Sequence, residues 1–218
     1  MKSFLSAGAA AAVLGLATSA LASTPPSPHP PEECQERPRA AAIEKSALVA
    51  TPRSDAPALG RADAKVTVEV WSDFECSFCA RGADTLKTLR EKYGEQVRIV
   101  FRHNPLPIHP NARLAAAASM AAHEQGRFWE FHDALFAHEG ALDRAALETL
   151  AGTLKLDPER FRRALDSSTW RNYVDTEVVE GQRRKITATP TFFVNGQVLA
   201  GVRSMDVFEQ AIDAALAR

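Results

Sequence analysis

Two cysteines separated by two residues stand where a predicted β-strand gives way to a predicted α-helix. Residues 66–71 alternate and are rich in β-branched and aromatic side chains, which is typical of a strand. Residues 77–93 place apolar side chains along one helical face, and Gly94 supplies a helix end. Cys76 and Cys79 therefore belong to the first turn of a helix. A fold that accommodates them must bring a strand end, a helix N-terminus and two sulfur atoms to one place.

The residues after this junction predict a second strand, a helical block, a hairpin and a last helix. The strand at 96–102 completes a β-α-β unit, which we expect to be parallel and right-handed. Residues 191–200 predict a β-hairpin, since Asn195-Gly196 is a strong two-residue turn signal. Cap residues and apolar periodicity predict helices at 111–125, 128–138, 143–154, from 157, 169–184 and 204–218.

The N-terminal residues predict export rather than a folded element. Lys2 precedes a short apolar run, and Ala20-Leu21-Ala22 matches a signal-peptidase site, so residues 1–22 are interpreted as a signal peptide cleaved after Ala22. An uncleaved anchor is the alternative, although the run is shorter than the roughly 20 residues that a membrane span needs. Residues 23–57 hold eight of the 13 prolines and predict a largely disordered spacer, leaving 58–218 as the folded domain. The expected location is periplasmic or secreted.

Charge and residue spacing exclude two partner classes and a metal site. A formal net charge of -1 offers no basic field for nucleic acid or an anionic membrane surface. A zinc site needs more ligands than the cysteine pair, and neither Cys34 nor any histidine pair stands at ligand spacing. His123, His132 and His138 are predicted surface residues. His103 and His109 flank a proline-rich loop and are expected to have a structural role there, with a place near the active face as the alternative. Cys34 is a passive thiol, a partner for another chain or a regulator of Cys76.

The cysteine pair predicts thiol–disulfide chemistry. Backbone N–H groups and the helix dipole at a helix N-terminus stabilise an anion, so the pKa of Cys76 should fall from about 8.5 into the range of roughly 3.5–7.5. Cys79 lies one turn deeper and should be less exposed. Cys76 is therefore predicted to exchange with substrates and Cys79 to resolve the mixed disulfide. A purely structural disulfide is the alternative, but so short a loop would constrain little of the chain.

Three sequence blocks in this chain resemble the DsbA-like thioredoxin superfamily over residues 56–218. They read Ser-Asp-Phe-Glu-Cys-Ser-Phe-Cys at 72–79, Phe-Arg-His-Asn-Pro-Leu-Pro at 101–107 and Thr-Pro-Thr-Phe-Phe-Val-Asn-Gly at 189–196. The resemblance implies an α/β thioredoxin fold, β-α-β then β-β-α around a central sheet, with an inserted all-helical subdomain at about 111–185. It also implies a cis bond between Thr189 and Pro190 beside the cysteines, exposing the Thr189 backbone to an extended substrate segment.

The sequence departs from this family in two places. Ser77 and Phe78, expected in the active-site loop, replace the Pro-His of the archetypal oxidase, so no imidazolium stands between the cysteines. Val70 occupies a position where related sequences often carry a buried acid, and strand alternation turns the neighbouring Glu69 to the opposite face. Either Glu69 acts by another route or water replaces the acid.

The resemblance implies an exported oxidase that introduces disulfides into cysteine-containing exported polypeptides. A membrane redox partner, DsbB-like, would reoxidise it, and no cofactor beyond the Cys76–Cys79 disulfide is expected. A reductase or isomerase fed by an electron donor would use the same residues. A non-catalytic peptide-binding or chaperone module on the same fold is a third possibility, against which the presence of both cysteines argues.

Overall fold

The computed structural model describes residues 56–218. The predicted signal peptide, Cys34 and the predicted spacer up to residue 55 lie outside the described residues. The strands are β1 (Ala58–Leu59), β2 (Val66–Ser72), β3 (Val97–His103), β4 (Thr191–Val194) and β5 (Gln197–Ala200). The helices are α1 (Ser77–Tyr93), α2 (Ala112–His123), α3 (Phe128–Ala137), α4 (Arg144–Thr153), α5 (Pro158–Asp166), α6 (Thr169–Arg183) and α7 (Met205–Leu216).

The five strands form one sheet in the order β1-β3-β2-β4-β5. Strand β2 lies parallel to β3 and antiparallel to β4, so Val70 faces Phe101 on one side and Phe192 on the other. The helices α2 to α6 separate the β-α-β half from the β-β-α half. This arrangement confirms the predicted thioredoxin fold with a helical insertion, and β2 is its central strand.

The edge strand β1 was not expected from the sequence. It pairs antiparallel with β3, and the Pro57 carbonyl accepts a hydrogen bond from the Phe101 N–H at 2.9 Å. Two paired residues are too few to display any periodicity, so a strand of this length leaves no sequence signal. The chain enters the sheet at its edge, where a proline can be tolerated.

The two faces of the sheet differ in chemistry. Alternate residues of β2, Val66, Val68 and Val70, face the main apolar core, which includes Leu86 and Leu89 of α1. On the opposite face Trp71 packs with Ile186 and Phe193. That second face also carries charge, because Glu69 pairs with Arg184 at 2.5 Å and Arg102 pairs with Glu177 at 2.6 Å. Helix α1 and its cysteines thus lie on the apolar side.

His132 is buried rather than exposed, so the surface location predicted for it is wrong. Its ring centroid lies 4.9 Å from that of Phe136 and 5.8 Å from that of Phe74, and its exposed fraction is 3%. These neighbours come from the same helix and from the turn before α1. Helical spacing within α3 alone carries no information about the turn that covers it.

Within residues 56–218, every helix is too short or too polar to traverse a bilayer.

Candidate active site

Cys76 occupies the N-cap position of α1, with φ -84° and ψ 117°. Its N–H donates to the Asp73 carbonyl at 3.2 Å, which closes a tight turn directly after β2. Its own carbonyl accepts from the N–H groups of Cys79 at 2.9 Å and Ala80 at 3.2 Å. The strand therefore delivers Cys76 to the point where the helix has unpaired N–H groups. This is the junction that the sequence pattern predicts.

The Cys76 thiol is surrounded by groups that favour its ionised form. A hydrogen bond from Cys79, helped by Thr189 and the backbone N–H groups of Cys79 and Phe78, outweighs burial and lowers the pKa of Cys76 to about 5. In the thiol form its Sγ donates to the Thr189 carbonyl at 3.7 Å. The Thr189 hydroxyl is buried and has no hydrogen-bond partner elsewhere within residues 56–218. It is therefore available to donate to the thiolate.

Cys79 has the opposite environment. Its side chain is 1% exposed, and burial, reinforced by the hydrogen bond to Cys76, raises the pKa of the Cys79 thiol above its usual range. The Asp73 N–H lies 3.4 Å from its Sγ. At neutral pH the reduced pair therefore carries one negative charge, located on Cys76. The two cysteines have opposite environments although only two residues separate them.

The second predicted part of the site, Thr189 and Pro190, lies against the cysteine turn. The peptide bond between these two residues is cis. Helix α1 comes very close to Pro190, because a Cβ added at Gly82 would lie 3.2 Å from the proline Cγ and 3.2 Å from Cζ of Phe192. Glycine at this position lets the helix approach. The fold thus joins Cys76 to Thr189, which is 113 residues further along the chain.

Ser77 and Phe78 form the exposed part of the turn. The Phe78 side chain is 54% exposed, and the Arg81 guanidinium lies 4.5 Å from its ring centroid. An apolar ring with an adjacent cation therefore borders the reactive sulfur.

Two carboxylates join the cysteine turn to the loop after β3. Oδ2 of the buried Asp73 accepts from the Leu106 N–H at 2.7 Å and pairs with Nδ1 of His109 at 2.7 Å. Glu75 accepts from the backbone N–H of Asn111 at 2.7 Å and from its side-chain amide at 3.1 Å. The side chain of Asn111 thus bonds Glu75 and does not cap α2. Sequence analysis did not identify Asp73 or Glu75, because each contact spans more than 30 residues.

Glu69 does not lie beside the cysteines. Its Oε1 accepts from the Trp71 indole N–H at 2.5 Å and from Arg184 at 2.5 Å, on the face of the sheet away from α1. Val70 points into the apolar core instead. Strand alternation predicted this division correctly.

Among the residues that the structure describes, no set of three or more potential ligands is arranged to hold a metal ion.

Comparisons with known proteins agree with this geometry. A family model described as thioredoxin matches residues 53–214. A thioredoxin-like oxidoreductase from Silicibacter pomeroyi DSS-3 is similar in structure, with a TM-score of 0.70 and 26% identity over 76% of this chain and 95% of that chain. Oxidised BdbD from Bacillus subtilis is also similar, with a TM-score of 0.67 and 28% identity over 75% of this chain and 94% of that chain. The thiol-disulfide exchange protein alpha-DsbA2 from Wolbachia pipientis, with a TM-score of 0.67 over 73% and 86%, shares 16% identity and supports the fold alone.

The similar curated sequences are much longer proteins. Na(+)/H(+) antiporter NhaA 3 from Salinispora tropica is 39% identical over 159 residues, which are 72% of this chain and 24% of that protein. Na(+)/H(+) antiporter NhaA from Herminiimonas arsenicoxydans is 41% identical over 142 residues, which are 65% of this chain and 22% of that protein. This chain spans about a quarter of the length of these relatives. Their names describe ion transport by the longer proteins, and the likeness concerns the shared segment.

Proposed function

The chain belongs to the thioredoxin family, as a DsbA-like thiol–disulfide oxidoreductase, and from this membership we propose that it is an exported oxidase. It introduces disulfides into secreted polypeptides through Cys76 and Cys79. The working location is the periplasm or the cell exterior. No cofactor other than the disulfide itself takes part.

The observation that carries this proposal is the difference between the two thiols. The pKa of Cys76 is lowered to about 5, whereas burial raises the pKa of Cys79. A stabilised thiolate stabilises the reduced pair, so the oxidised pair readily accepts electrons. The same thiolate is a good leaving group once a substrate thiol displaces it.

The reaction follows from this asymmetry. A substrate thiolate attacks Sγ of Cys76, the Cys76–Cys79 bond breaks, and Cys79 departs and takes up a proton. A second substrate thiolate then attacks the substrate sulfur of the mixed disulfide, forming the substrate disulfide and releasing the Cys76 thiolate. Two electrons pass to the enzyme. Of the two substrate protons, one resides on Cys79 and the other passes to solvent.

The surroundings of Cys76 fit an extended polypeptide. The Thr189 carbonyl lies 3.7 Å from Sγ, where a substrate backbone can pair with it, and the exposed Phe78 ring offers apolar contact. Substrates are therefore exported polypeptides with reduced cysteines. A DsbB-like membrane redox partner then reoxidises Cys76 and Cys79.

One observation favours a second candidate, a reductase or isomerase. Ser77 and Phe78 place no cation between the cysteines, so a contribution that would stabilise the thiolate is missing from the turn itself. A less stabilised thiolate makes a weaker oxidant. Such an enzyme would need an electron donor in place of an oxidising partner.

The test is the reduction potential of the pair in glutathione buffers, measured on residues 23–218 with Cys34→Ser. A value near about -120 mV supports the oxidase, whereas one near about -270 mV overturns it in favour of the reductase. Cys76→Ser in the same background is the control, because it removes the couple without removing the fold. If Cys76→Ser retains the whole activity on a reduced substrate, the enzymatic proposal fails and a chaperone role replaces it.

A further inference from the structure

His109 is held against the cysteine turn by Asp73. Its Nδ1 lies 2.7 Å from Oδ2 of Asp73, whose side chain is fully buried, while the imidazole itself is 22% exposed. The same aspartate touches both cysteines through its backbone, accepting from the Cys76 N–H at 3.2 Å and directing its own N–H to Cys79 at 3.4 Å. Asp73 thus links His109 to both cysteines, so a change in the charge of His109 takes place close to the redox pair.

Asp73 is a rigid link between them. Its Oδ1 accepts the Glu75 N–H at 2.8 Å and its Oδ2 accepts the Leu106 N–H at 2.7 Å, so neither oxygen is free to rotate away. A carboxylate fixed in this way requires Nδ1 of His109 to be the protonated nitrogen. The partial exposure of the ring lets its other nitrogen exchange protons with water.

We propose that His109 is a positioning residue that supplies, from the loop after β3, the positive charge which the Ser77-Phe78 turn lacks. The imidazolium stabilises the Cys76 thiolate across space and makes the oxidised pair a stronger oxidant. This inference rests on the proposed exchange chemistry of Cys76 and Cys79, and it deepens that proposal. In this role His109 acts through the ionisation of Cys76.

The groups facing His109 all favour its charged form. The hydrogen bond to Asp73 raises the pKa of His109 most, and the negative charges of Asp73, Cys76 and Glu75 add to it against the effect of partial burial. These groups come from the turn after β2 and the start of α1. Coupling must be mutual, so a positive His109 lowers the pKa of Cys76 as the Cys76 thiolate raises that of His109.

The coupling has a defined pH window. Below the pKa of Cys76, about 5, the thiolate is absent and the imidazolium has no partner to stabilise. Above the raised pKa of His109 the ring is neutral and the stabilisation is lost. The effect on the redox equilibrium is therefore largest between these two values and fades at alkaline pH.

The first experiment titrates the Cys76 thiolate by its absorbance at 240 nm in the reduced Cys34→Ser protein. His109→Gln keeps a donor for Asp73 but removes the charge, and it should raise the pKa of Cys76 by about one unit, a roughly tenfold change. His109→Arg keeps a charge and should retain the low pKa. His138→Gln, at the end of α3, is the matched control and should leave the titration unchanged. Equal Cys76 pKa values in His109→Gln and the parent overturn the proposal.

The second experiment needs no change at His109 and so does not depend on a variant folding. The imidazole of His109 is titrated by NMR in the dithiol and disulfide forms of the Cys34→Ser protein. Its pKa should be about one unit higher in the dithiol form, because only that form carries the Cys76 thiolate. Identical pKa values in the two forms overturn the proposal.

The two proposals fail separately. Both titrations are made without substrate, so a potential near that of a reductase leaves the coupling of His109 to Cys76 intact. Conversely, His109→Gln should make the equilibrium constant with glutathione about tenfold less oxidising near pH 6, which is about 30 mV. If the parent is strongly oxidising and His109→Gln matches it at that pH, the oxidase stands and the role of His109 is refuted.

Discussion

Two clusters of charged side chains flank the central strand β2, one behind the sheet and one at the end of β2. Behind the sheet, the back-face cluster of Glu69, Arg184, Arg102 and Glu177 is sealed from solvent, and each charge meets an opposite charge directly. At the end of β2, the turn cluster of Asp73, Glu75, His109 and Asn111 is open on one side. This cluster contains two carboxyl groups and one imidazole, and it lies next to the Cys76 thiol.

The contrast shows how one fold separates stability from reactivity. In the back-face cluster Arg102 and Arg184 stack on Trp71, with guanidinium-to-centroid distances of 4.8 and 5.4 Å, so the charges are part of the packing between α6 and the sheet. The turn cluster is held by hydrogen bonds to the loop after β3, and Asp73 also bonds the Cys76 backbone. We therefore expect changes behind the sheet to alter folding, and changes at the turn to alter the redox equilibrium.

The largest expected effect comes from breaking the back-face cluster with Arg102→Met. Glu177 is 1% exposed and burial raises its pKa to about 7, so loss of the Arg102 charge removes the cation that favours its ionised form, although the His103 N–H and the Tyr173 hydroxyl still donate to it. The free energy of unfolding should fall by about 3–5 kcal/mol. Urea denaturation measures this loss, and the pKa of Cys76 should stay at its parent value.

Arg183→Met provides the matched control, because Arg183 lies on α6, the helix that carries Glu177. Arg183 pairs with Glu180 at 2.8 Å on an exposed surface, so its removal should cost about 0–1 kcal/mol. If Arg102→Met is no more costly than Arg183→Met, the back-face cluster does not hold α6 to the sheet. If it shifts the pKa of Cys76, the two clusters are not independent.

A smaller effect is expected from adding one methyl group on either face. In Gly181→Ala the new Cβ would lie 3.1 Å from Cζ3 of the buried Trp71, and in Gly82→Ala it would lie 3.2 Å from Cγ of Pro190. Each crowded contact should cost about 1–3 kcal/mol, partly offset by the better helix propensity of alanine. Only Gly82→Ala should also change the pKa of Cys76, because it displaces the segment that holds Thr189.

Gly152→Ala in α4 separates crowding from helix propensity. A Cβ at this position meets no atom within 4 Å, so the substitution should stabilise the protein by up to about 1 kcal/mol. Thermal unfolding and the 240 nm titration of all three variants test the comparison. A Cys76 pKa that moves equally in Gly82→Ala and Gly181→Ala would contradict it.

A pH dependence that belongs to the turn alone compares the two clusters without any substitution. The folded-state pKa of Cys76, about 5, is depressed below that of a free thiol, so the unfolded reduced chain binds more protons than the folded one over the interval between them. The dithiol form should therefore gain stability relative to the disulfide form as the pH rises through that interval, and lose it as the pH falls towards 5. Urea denaturation of both forms at pH 5, 7 and 8 measures this difference. A constant difference would show that the Cys76 thiol is not perturbed by folding.

Sequence reasoning reached most of the fold because its signals are local. The span of α1 and its end at Gly94 followed from apolar periodicity and a terminal glycine, and the structure gives Ser77–Tyr93. Asn195-Gly196 predicted the hairpin, and both residues have positive φ, as the turn requires. Strand β1 was missed because its two residues are defined only by pairing with β3.

The candidate site was predictable where chemistry lies within one motif and unpredictable where the fold assembles it. The position of Cys76 at a helix N-terminus could be read from the strand-to-helix change. The pairing of Asp73 with His109 could not, since 36 residues and the whole of α1 and β3 separate them. The sequence offered a place near the active face only as an alternative for His109, and nothing in it identified Asp73 as the partner.

The position of Thr189, so far along the chain from Cys76, has a consequence for the order in which the protein acquires reactivity. A growing chain that has reached α6 already contains both cysteines, β2 and β3, but not the strand that completes the central pairing. Until the segment with Thr189 has been made and has docked, Cys76 lacks the Thr189 contact that helps to lower its pKa. Before that point a smaller fraction of the Cys76 thiol is ionised at neutral pH, and the low pKa is reached only when the β-β-α half has joined the sheet.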